Sequence, residues 1–175
     1  MLLTRTWGLR QKHMSQSHSN AESTTAGRQA EHEVGPTAVL VHDPAAAGSF
    51  EQFGGCPNSE STGQKLLFRE HPDTATYAKQ YRAFVDLLAT HVPKVIHLGE
   101  VLRNRSEYTP AKINPNQVFT RDSIITLPWQ PDAYITCRMK RPLRQLEPAT
   151  MAAAARELGL QQILEIPSPL VLEGG

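Results

Sequence analysis

Short apolar runs alternate with two helix-like segments from residue 37 onward, and this order constrains the fold more than any other feature. Short runs of apolar residues bounded by Pro, Gly, Asn or Asp predict buried strands. The order strand, strand, helix, strand occurs about twice, which predicts an α/β or α+β fold. The predicted strands are residues 37–42, 65–69, 94–98, 118–127, 133–139 and 161–166, with the start of another at 170–172.

The two helices are predicted over residues 74–90 and 142–158. Pro72 lies just before the first helix, where proline suits a helix start, and Gly159 follows the second as a C-cap. Pro148 lies inside the second segment, where proline restarts or kinks a helix. A helical turn is expected at residues 100–105 and a hairpin turn at residues 130–132. The apolar stripe of the first helix, at spacings of three and four, is Tyr77, Tyr81, Phe84, Val85 and Leu88.

The composition is that of an ordinary globular domain, with 175 residues of which 39% are hydrophobic and 20% charged. A net charge of +1 argues against a nucleic-acid surface, because phosphate binding needs a clustered basic excess. No apolar run approaches the roughly 18 residues of a membrane helix. Cys56 and Cys137 form no Cys-x-x-Cys pair, so a reducing compartment fits better than secretion. The histidines show no ligand spacing, and neither a metal nor a cofactor is expected.

Residues 1–35 form a polar leader, and residues 36–175 form the predicted folded domain. The leader has too few apolar anchors to offset its ordering entropy, so we expect it to be disordered. Its early basic residues, with no acid before Glu22, are also typical of a mitochondrial presequence. A merely variable tail is the other interpretation, and the predicted location is therefore cytoplasmic or mitochondrial.

Asp122 follows an apolar segment and precedes two isoleucines, so its backbone is expected to be mostly buried. A buried carboxylate needs a cation, because without one it takes up a proton or destabilises the fold. Arg121 or Arg138 is one source of that cation. A guanidinium ligand is the other, since it donates two parallel hydrogen bonds to a carboxylate.

Three motifs follow one another in the second half of the chain, and together they resemble the arginine deiminase and amidinotransferase superfamily. Its members cut or move guanidino groups. The resemblance implies a five-bladed α/β propeller, of which about two modules would be present. It also places the catalytic His and nucleophilic Cys further downstream, so we expect an N-terminal portion that is inactive by itself. The motifs are residues 114–122 (Asn-Pro-Asn-Gln-Val-Phe-Thr-Arg-Asp), then Met139 with Arg144 and Glu147, and finally Leu172-Glu-Gly-Gly at 172–175.

The resemblance gives roles to five residues. It implies that the carboxylates of Asp122 and Glu173 grip the substrate guanidinium and stabilise its charge. Phe119 would flank the flat cation, and Asn116 would make polar contacts from the preceding turn. Arg144 would bind the substrate carboxylate. Strand alternation sends Phe119 and Asp122 to opposite faces, so both reach one ligand only if the strand bends.

The residues by themselves leave other interpretations open. Phe119 is equally an ordinary core residue, and Asn116 one that satisfies its own turn backbone. Glu173 is also explained as a solvated acid. Arg144 is also explained as the helix-surface partner of a nearby acid, and Arg141 competes for its role.

The resemblance favours an arginine deiminase-like hydrolase. Such an enzyme acts on the C–N bond of a linear amidine and converts arginine to citrulline and ammonia through a cysteine thiouronium intermediate. An amidinotransferase or a dimethylarginine hydrolase of the same superfamily is the alternative, as is a non-catalytic, truncated binding module. The implied partner is arginine or a related guanidino small molecule, and a homo-oligomer stays open for the full-length protein. Neither Cys56 nor Cys137 has a neighbouring base, so neither is expected to be a nucleophile.

Overall fold

The computed structural model describes residues 2–3, 35–52, 68 and 72–174. The strand predicted at residues 65–69 lies outside the described residues except for Phe68. Nearly all of the predicted leader lies outside them too, so its assignment stays a prediction. In the part of the chain that the structure describes, no helix is long and apolar enough to cross a membrane.

The first sheet has three strands and one crossing helix. Its strands are β1 (Leu2–Leu3), β2 (Ala38–Val41) and β3 (Val95–His97), and α1 (Thr74–His91) lies between the second and third. β1 pairs with β2 in the antiparallel sense, and β2 pairs with β3 in the parallel sense. The parallel pairing requires a crossover connection, which α1 supplies.

The second sheet repeats this arrangement. Its strands are β4 (Ile124–Leu127), β5 (Gln130–Thr136) and β6 (Gln161–Glu165), and its crossing helix is α2 (Glu147–Glu157). β4 and β5 are antiparallel, and β5 and β6 are parallel. The predicted strand, strand, helix, strand order occurs in the second sheet. In the first sheet the additional strand is Leu2–Leu3, which lies in the leader expected to be disordered, and not the strand predicted at residues 65–69. The predicted mixture of helices and strands is confirmed, and the described residues contain no closed barrel.

β2 is buried on both faces, as strands in parallel pairs usually are. Val39 and Val41 belong to a cluster under α1, whereas Ala38 and Leu40 face a larger core shared with the second sheet. The shared core includes four consecutive buried alanines of α2, at residues 152–155, whose small side chains let the helix approach both sheets. Burying one large apolar side chain stabilises the fold by roughly 1.5–3 kcal/mol, so this shared core is the main link between the two sheets.

The second helix is shorter than predicted. The segment expected to be helical from residue 142 first makes a 3₁₀ turn, Pro142–Arg144, and the α-helix begins only at Glu147. Pro148 explains the difference, because proline suits the first turn of a helix and not its interior. Gly159 ends the helix with a φ of 77°, as predicted for a C-cap.

The strand predicted over residues 118–127 is also shorter, since it begins only at Ile124. Asn114 initiates a turn instead, because its Oδ1 accepts a hydrogen bond of 3.0 Å from the backbone of Asn116. Asp122 therefore lies in a turn, and the strand alternation that separated it from Phe119 does not apply. The two turns before the strand are the 3₁₀ helices Pro115–Val118 and Thr120–Ser123.

Two further boundaries differ from the sequence prediction. The hairpin turn lies at Pro128 and Trp129, so residues 130–132 already belong to β5. The strand predicted at residues 170–172 is reduced to one isolated antiparallel bridge, between Leu172 and Arg138. Two short α-helices lie between the sheets. Leu98–Val101 begins before the helical turn predicted at 100–105, and Thr109–Ile113 follows it.

His42, just after β2, makes stability depend on pH. Burial, which outweighs a hydrogen bond to the Ala111 carbonyl, lowers the pKa of His42 to about 4 from 6.5. The unfolded chain therefore takes up this proton first as the pH falls, so stability is lost between about pH 6.5 and 4, by up to roughly 3 kcal/mol.

We predict that His42→Asn, which keeps a donor near the position of Nδ1, flattens this dependence. The free energy of unfolding of both proteins, measured with urea from pH 7 to pH 4, checks the prediction. The wild type should lose more stability than the variant across that range. Parallel curves would show that His42 does not titrate differently in the folded and unfolded states.

Candidate active site

Arg144 is a buried cation held between two carboxylates. Its side chain is only 3% exposed. Its Nε and Nη2 donate hydrogen bonds of 2.8 Å and 2.7 Å to the two oxygens of Glu147. Its Nη1 donates a hydrogen bond of 2.9 Å to Oδ2 of Asp122. Paired bonds of this kind fix the plane of the guanidinium as well as its position.

Glu147 is held by neutral donors in addition to Arg144. Nδ2 of Asn114 donates to Oε1 over 2.9 Å, and Oγ of Ser123 donates to Oε2 over 3.3 Å. Asn114 follows the short helix Thr109–Ile113, and Ser123 ends the turn before β4. The carboxylate therefore connects three separate segments of the chain in a buried place.

These contacts keep Arg144 charged. Burial by itself lowers the pKa of Arg144, but the hydrogen bonds and charges of Glu147 and Asp122 outweigh it and raise the pKa above its usual value. The contact with Glu147 is thus a buried pair and not the helix-surface contact considered from the sequence. The ion pair that Asp122 makes among the described residues is with Arg144, and not with Arg121 or Arg138, the cations first considered for it.

Asp122 lies at the surface end of this network. Its turn is fixed by Oγ1 of Thr120, which donates 3.0 Å to the Leu40 carbonyl of β2. The Asp122 side chain is 22% exposed. Its Oδ1 makes no hydrogen bond with the described residues, whereas Oδ2 accepts from Arg144. One carboxylate oxygen is therefore fixed and the other can accept a bond from a ligand.

Phe119 places an aromatic face beside the same cation. Its ring centroid lies 5.6 Å from Cζ of Arg144, within the range of a cation–π contact. The Phe119 side chain is exposed rather than a core residue. The turn thus brings Phe119 and Asp122 to the same guanidinium, which a straight strand would not allow.

The segment at residues 172–174 lies against this turn. Lys140 donates its backbone N–H to Oε1 of Glu173 over 2.9 Å, and Gly174 donates its N–H to the Asp122 carbonyl over 2.9 Å. A Cβ at position 174 would lie 2.5 Å from the Arg121 carbonyl oxygen, so only glycine fits this close approach. Glu173 is thereby placed beside the turn that carries Asp122.

The charges of Asp122 and Glu173 both affect the pKa of Cys137. Burial, followed by the negative charges of Asp122 and Glu173, raises the pKa of Cys137 to about 11. The thiol therefore keeps its proton at neutral pH and is a poor nucleophile. The same effect indicates that Asp122 and Glu173 act on one small region of the protein.

The structure brings together four of the five predicted site residues, namely Phe119, Asp122, Arg144 and Glu173. Asn116, the fifth, lies in the same loop but is fully buried, and its backbone N–H donates to Asn114. Arg141, the competitor of Arg144, is exposed.

Sequence reasoning missed two residues that hold the network, Asn114 and Ser123. Asn114 is the first residue of the motif at residues 114–122, and Ser123 directly follows that motif, which was the available signal. Their function depends on the position of Glu147, which lies 33 and 24 residues away along the chain. No local pattern reveals such a contact.

Among residues 35–52, 68 and 72–174, no group of three His, Cys, Asp or Glu side chains is arranged to hold a metal ion. Comparisons with protein-family models, with curated proteins and with solved structures gave no match. The resemblance to the guanidino-modifying superfamily therefore rests on the three sequence motifs alone.

We predict that Glu147→Gln lowers the free energy of unfolding by about 3 kcal/mol or more, because it leaves the Arg144 guanidinium buried without its main countercharge. Urea unfolding at neutral pH measures the change. Glu157→Gln is the matched control, since Glu157 pairs with Arg105 at the exposed surface. That variant should cost less than about 1 kcal/mol. Equal costs would show that the buried pair is no more important than the surface pair.

Proposed function

We propose that this chain carries the guanidino-binding part of an arginine deiminase-like hydrolase. The observation that carries the proposal is the partly exposed Asp122 carboxylate, with the exposed ring of Phe119 in the same turn and Glu173 on the segment that hydrogen-bonds to that turn. A guanidinium is flat, positively charged and bordered by N–H groups. Carboxylate oxygens at its edge and an aromatic ring on its face are the matching receptor.

The free oxygen of Asp122 supports this assignment. Arg144 fixes Oδ2, and Oδ1 makes no bond with the described residues in a side chain that is 22% exposed. A ligand that binds to a preorganised acceptor loses less side-chain entropy than one that must order it. Oε2 of Glu173 likewise accepts no bond from the described residues, whereas Oε1 is held by Lys140.

Arg144 retains capacity for a substrate carboxylate. A guanidinium has five N–H donors, and the three shortest contacts use Nε, Nη1 and Nη2 once each. One N–H on each terminal nitrogen is left. The resemblance assigns the substrate carboxylate to Arg144, but its side chain is only 3% exposed, so in this proposal its main part is to position Asp122.

The chemistry itself needs a thiolate that the described residues do not supply. In the proposed reaction a cysteine attacks the guanidino carbon, ammonia leaves, and water hydrolyses the thiouronium intermediate to citrulline. The raised pKa of Cys137 argues against its serving as this nucleophile. The resemblance assigns the reaction to a downstream His and Cys, so the chain binds substrate and does not turn it over.

The repeated sheet order supports the propeller part of the proposal. Both sheets contain an antiparallel pair, a crossing helix and a parallel pair. Successive modules of one propeller share such an order. A five-bladed α/β propeller is therefore the proposed architecture, with these two sheets as two of its modules.

A binding protein without catalysis is the second candidate function, and the protonated state of Cys137 favours it for this chain by itself. The same carboxylates would then retain a guanidino compound without cleaving it. An amidinotransferase or dimethylarginine hydrolase would use the same binding residues. These enzymes differ in the molecule that attacks the thiouronium intermediate, water in a hydrolase and an amine in an amidinotransferase. The residues of this site do not determine which of the two it is.

We predict that L-arginine binds to the 175-residue chain and that Asp122→Asn weakens binding at least about tenfold, since a charge-assisted bond is lost. Isothermal titration calorimetry measures both affinities. Asp132→Asn is the control, because it removes an exposed carboxylate of β5 that is not part of the site. This variant should bind L-arginine as the wild type does. The same affinity in the Asp122 variant and the control would remove Asp122 from the site.

We further predict that the 175-residue chain releases no citrulline from L-arginine. A colorimetric citrulline assay over several hours, with a known deiminase as the positive control, tests this. Turnover that disappears in Cys137→Ser would contradict our account, because it would make Cys137 the nucleophile despite its raised pKa.

A further inference from the structure

A cavity of about 390 Å³ lies beside α1 and shares no lining residue with the Asp122 site. Its volume is within the usual range for small-molecule pockets, roughly 300–1,000 Å³. The inner wall is formed by His42, Asp43, Tyr81 and Tyr108. The outer wall carries charged residues that are exposed to solvent: Arg82, Asp86, Glu100 and Arg103.

Two polar atoms in the inner wall have no partner among the described residues. They are Nε2 of His42 and the hydroxyl of Tyr81. The two residues are only 2% and 8% exposed. A buried polar atom without a hydrogen bond destabilises a protein, and native structures contain few of them. Both residues line this cavity and also a neighbouring one of about 320 Å³, so a ligand held beside α1 would supply the missing bonds.

The wall of the cavity presents hydrogen-bond acceptors. Burial lowers the pKa of His42 to about 4, although the Ala111 carbonyl opposes this, so the ring is neutral near pH 7, and its Nε2 has no partner among the described residues. Asp43 uses Oδ1 to accept from the backbones of Ala45 and Ala46, which leaves Oδ2 without a bond to the described residues. The Tyr81 oxygen adds another acceptor.

Aromatic rings surround these acceptors. The rings of His42 and Tyr108 meet edge to face with centroids 5.9 Å apart. A Cβ on Gly99 would lie 2.7 Å from the Tyr108 hydroxyl, so the glycine makes room for this ring at the cavity wall. After burial, the Asp43 charge raises the pKa of both Tyr81 and Tyr108, which places that carboxylate near both rings.

We propose that this cavity binds a small organic cation that carries N–H donors, an alkylammonium or guanidinium group. Neutral acceptors, a carboxylate and aromatic faces are the combination that recognises such a cation. Apart from its histidines, the cavity lining carries three carboxylates against two guanidinium groups, so its charge also favours a cation. The inference does not depend on the function proposed for the Asp122 site.

Titration of the ¹⁵N-labelled chain with methylguanidinium chloride tests the proposal. The Nε2 resonance of His42 should shift in a saturable manner, because the lone pair becomes hydrogen-bonded. Tetramethylammonium has the charge without N–H donors and should give a much weaker response. The shift of His42 should be preserved in Asp122→Asn, which separates this cavity from the other site.

Two variants identify the wall residues. Tyr81→Phe removes a hydroxyl that lacks a partner, so the melting temperature should not fall, whereas affinity should drop about fivefold. Asp43→Asn keeps an oxygen for the Ala45 and Ala46 amides and should weaken binding at least about tenfold. Asp132→Asn is the control and should bind as the wild type does.

The results also define what would overturn the proposal. A wild-type chain whose His42 resonance does not respond to methylguanidinium at millimolar concentrations would exclude an organic-cation site. Unchanged affinity in both Tyr81→Phe and Asp43→Asn would place the ligand elsewhere. A response to tetramethylammonium equal to that for methylguanidinium would show that the acceptors of the wall do not select the ligand.

Discussion

The buried pair between Arg144 and Glu147 is the interaction on which the candidate site depends. A charge at 3% exposure is tolerated only with a countercharge and with bonds to most of its donors, and Glu147 supplies both. Asn114 and Ser123 donate the other hydrogen bonds to the Glu147 carboxylate. These residues come from separate segments of the chain. The pair therefore fixes the relative positions of the loop at Asn114, the turn that carries Asp122 and Ser123, and the start of α2.

The position of Asp122 follows from this pair. Arg144 holds one oxygen of Asp122, and the backbone of Gly174 holds its carbonyl. Glu173 is brought to the same place because the chain around it bridges to residues 138–140. A network built for stability at its buried end thus presents acceptors at its exposed end, which is the arrangement expected of a site that binds a planar cation.

Parts of this structure follow from local sequence, and parts do not. The amphipathic stripe of α1, the apolar run of β2 and the C-cap at Gly159 gave the correct elements, since each depends on residues close together in the chain. The turn around Asp122 was predicted as a strand, because Asn114 initiates it through a side chain that pattern reasoning does not include. The partner of Asp122 was missed because Arg144 lies 22 residues away and reaches it only after the chain folds.

The central claim is that Arg144 holds the Asp122 carboxylate ready for a guanidinium ligand. A crystal structure of the chain grown with L-arginine tests it most directly. We expect the ligand guanidinium to bond to Oδ1 of Asp122 and to Glu173 and to lie against the Phe119 ring, with the contact between Arg144 and Asp122 preserved. An arginine bound elsewhere, or one that displaces Arg144 from Asp122, would contradict this account of the site.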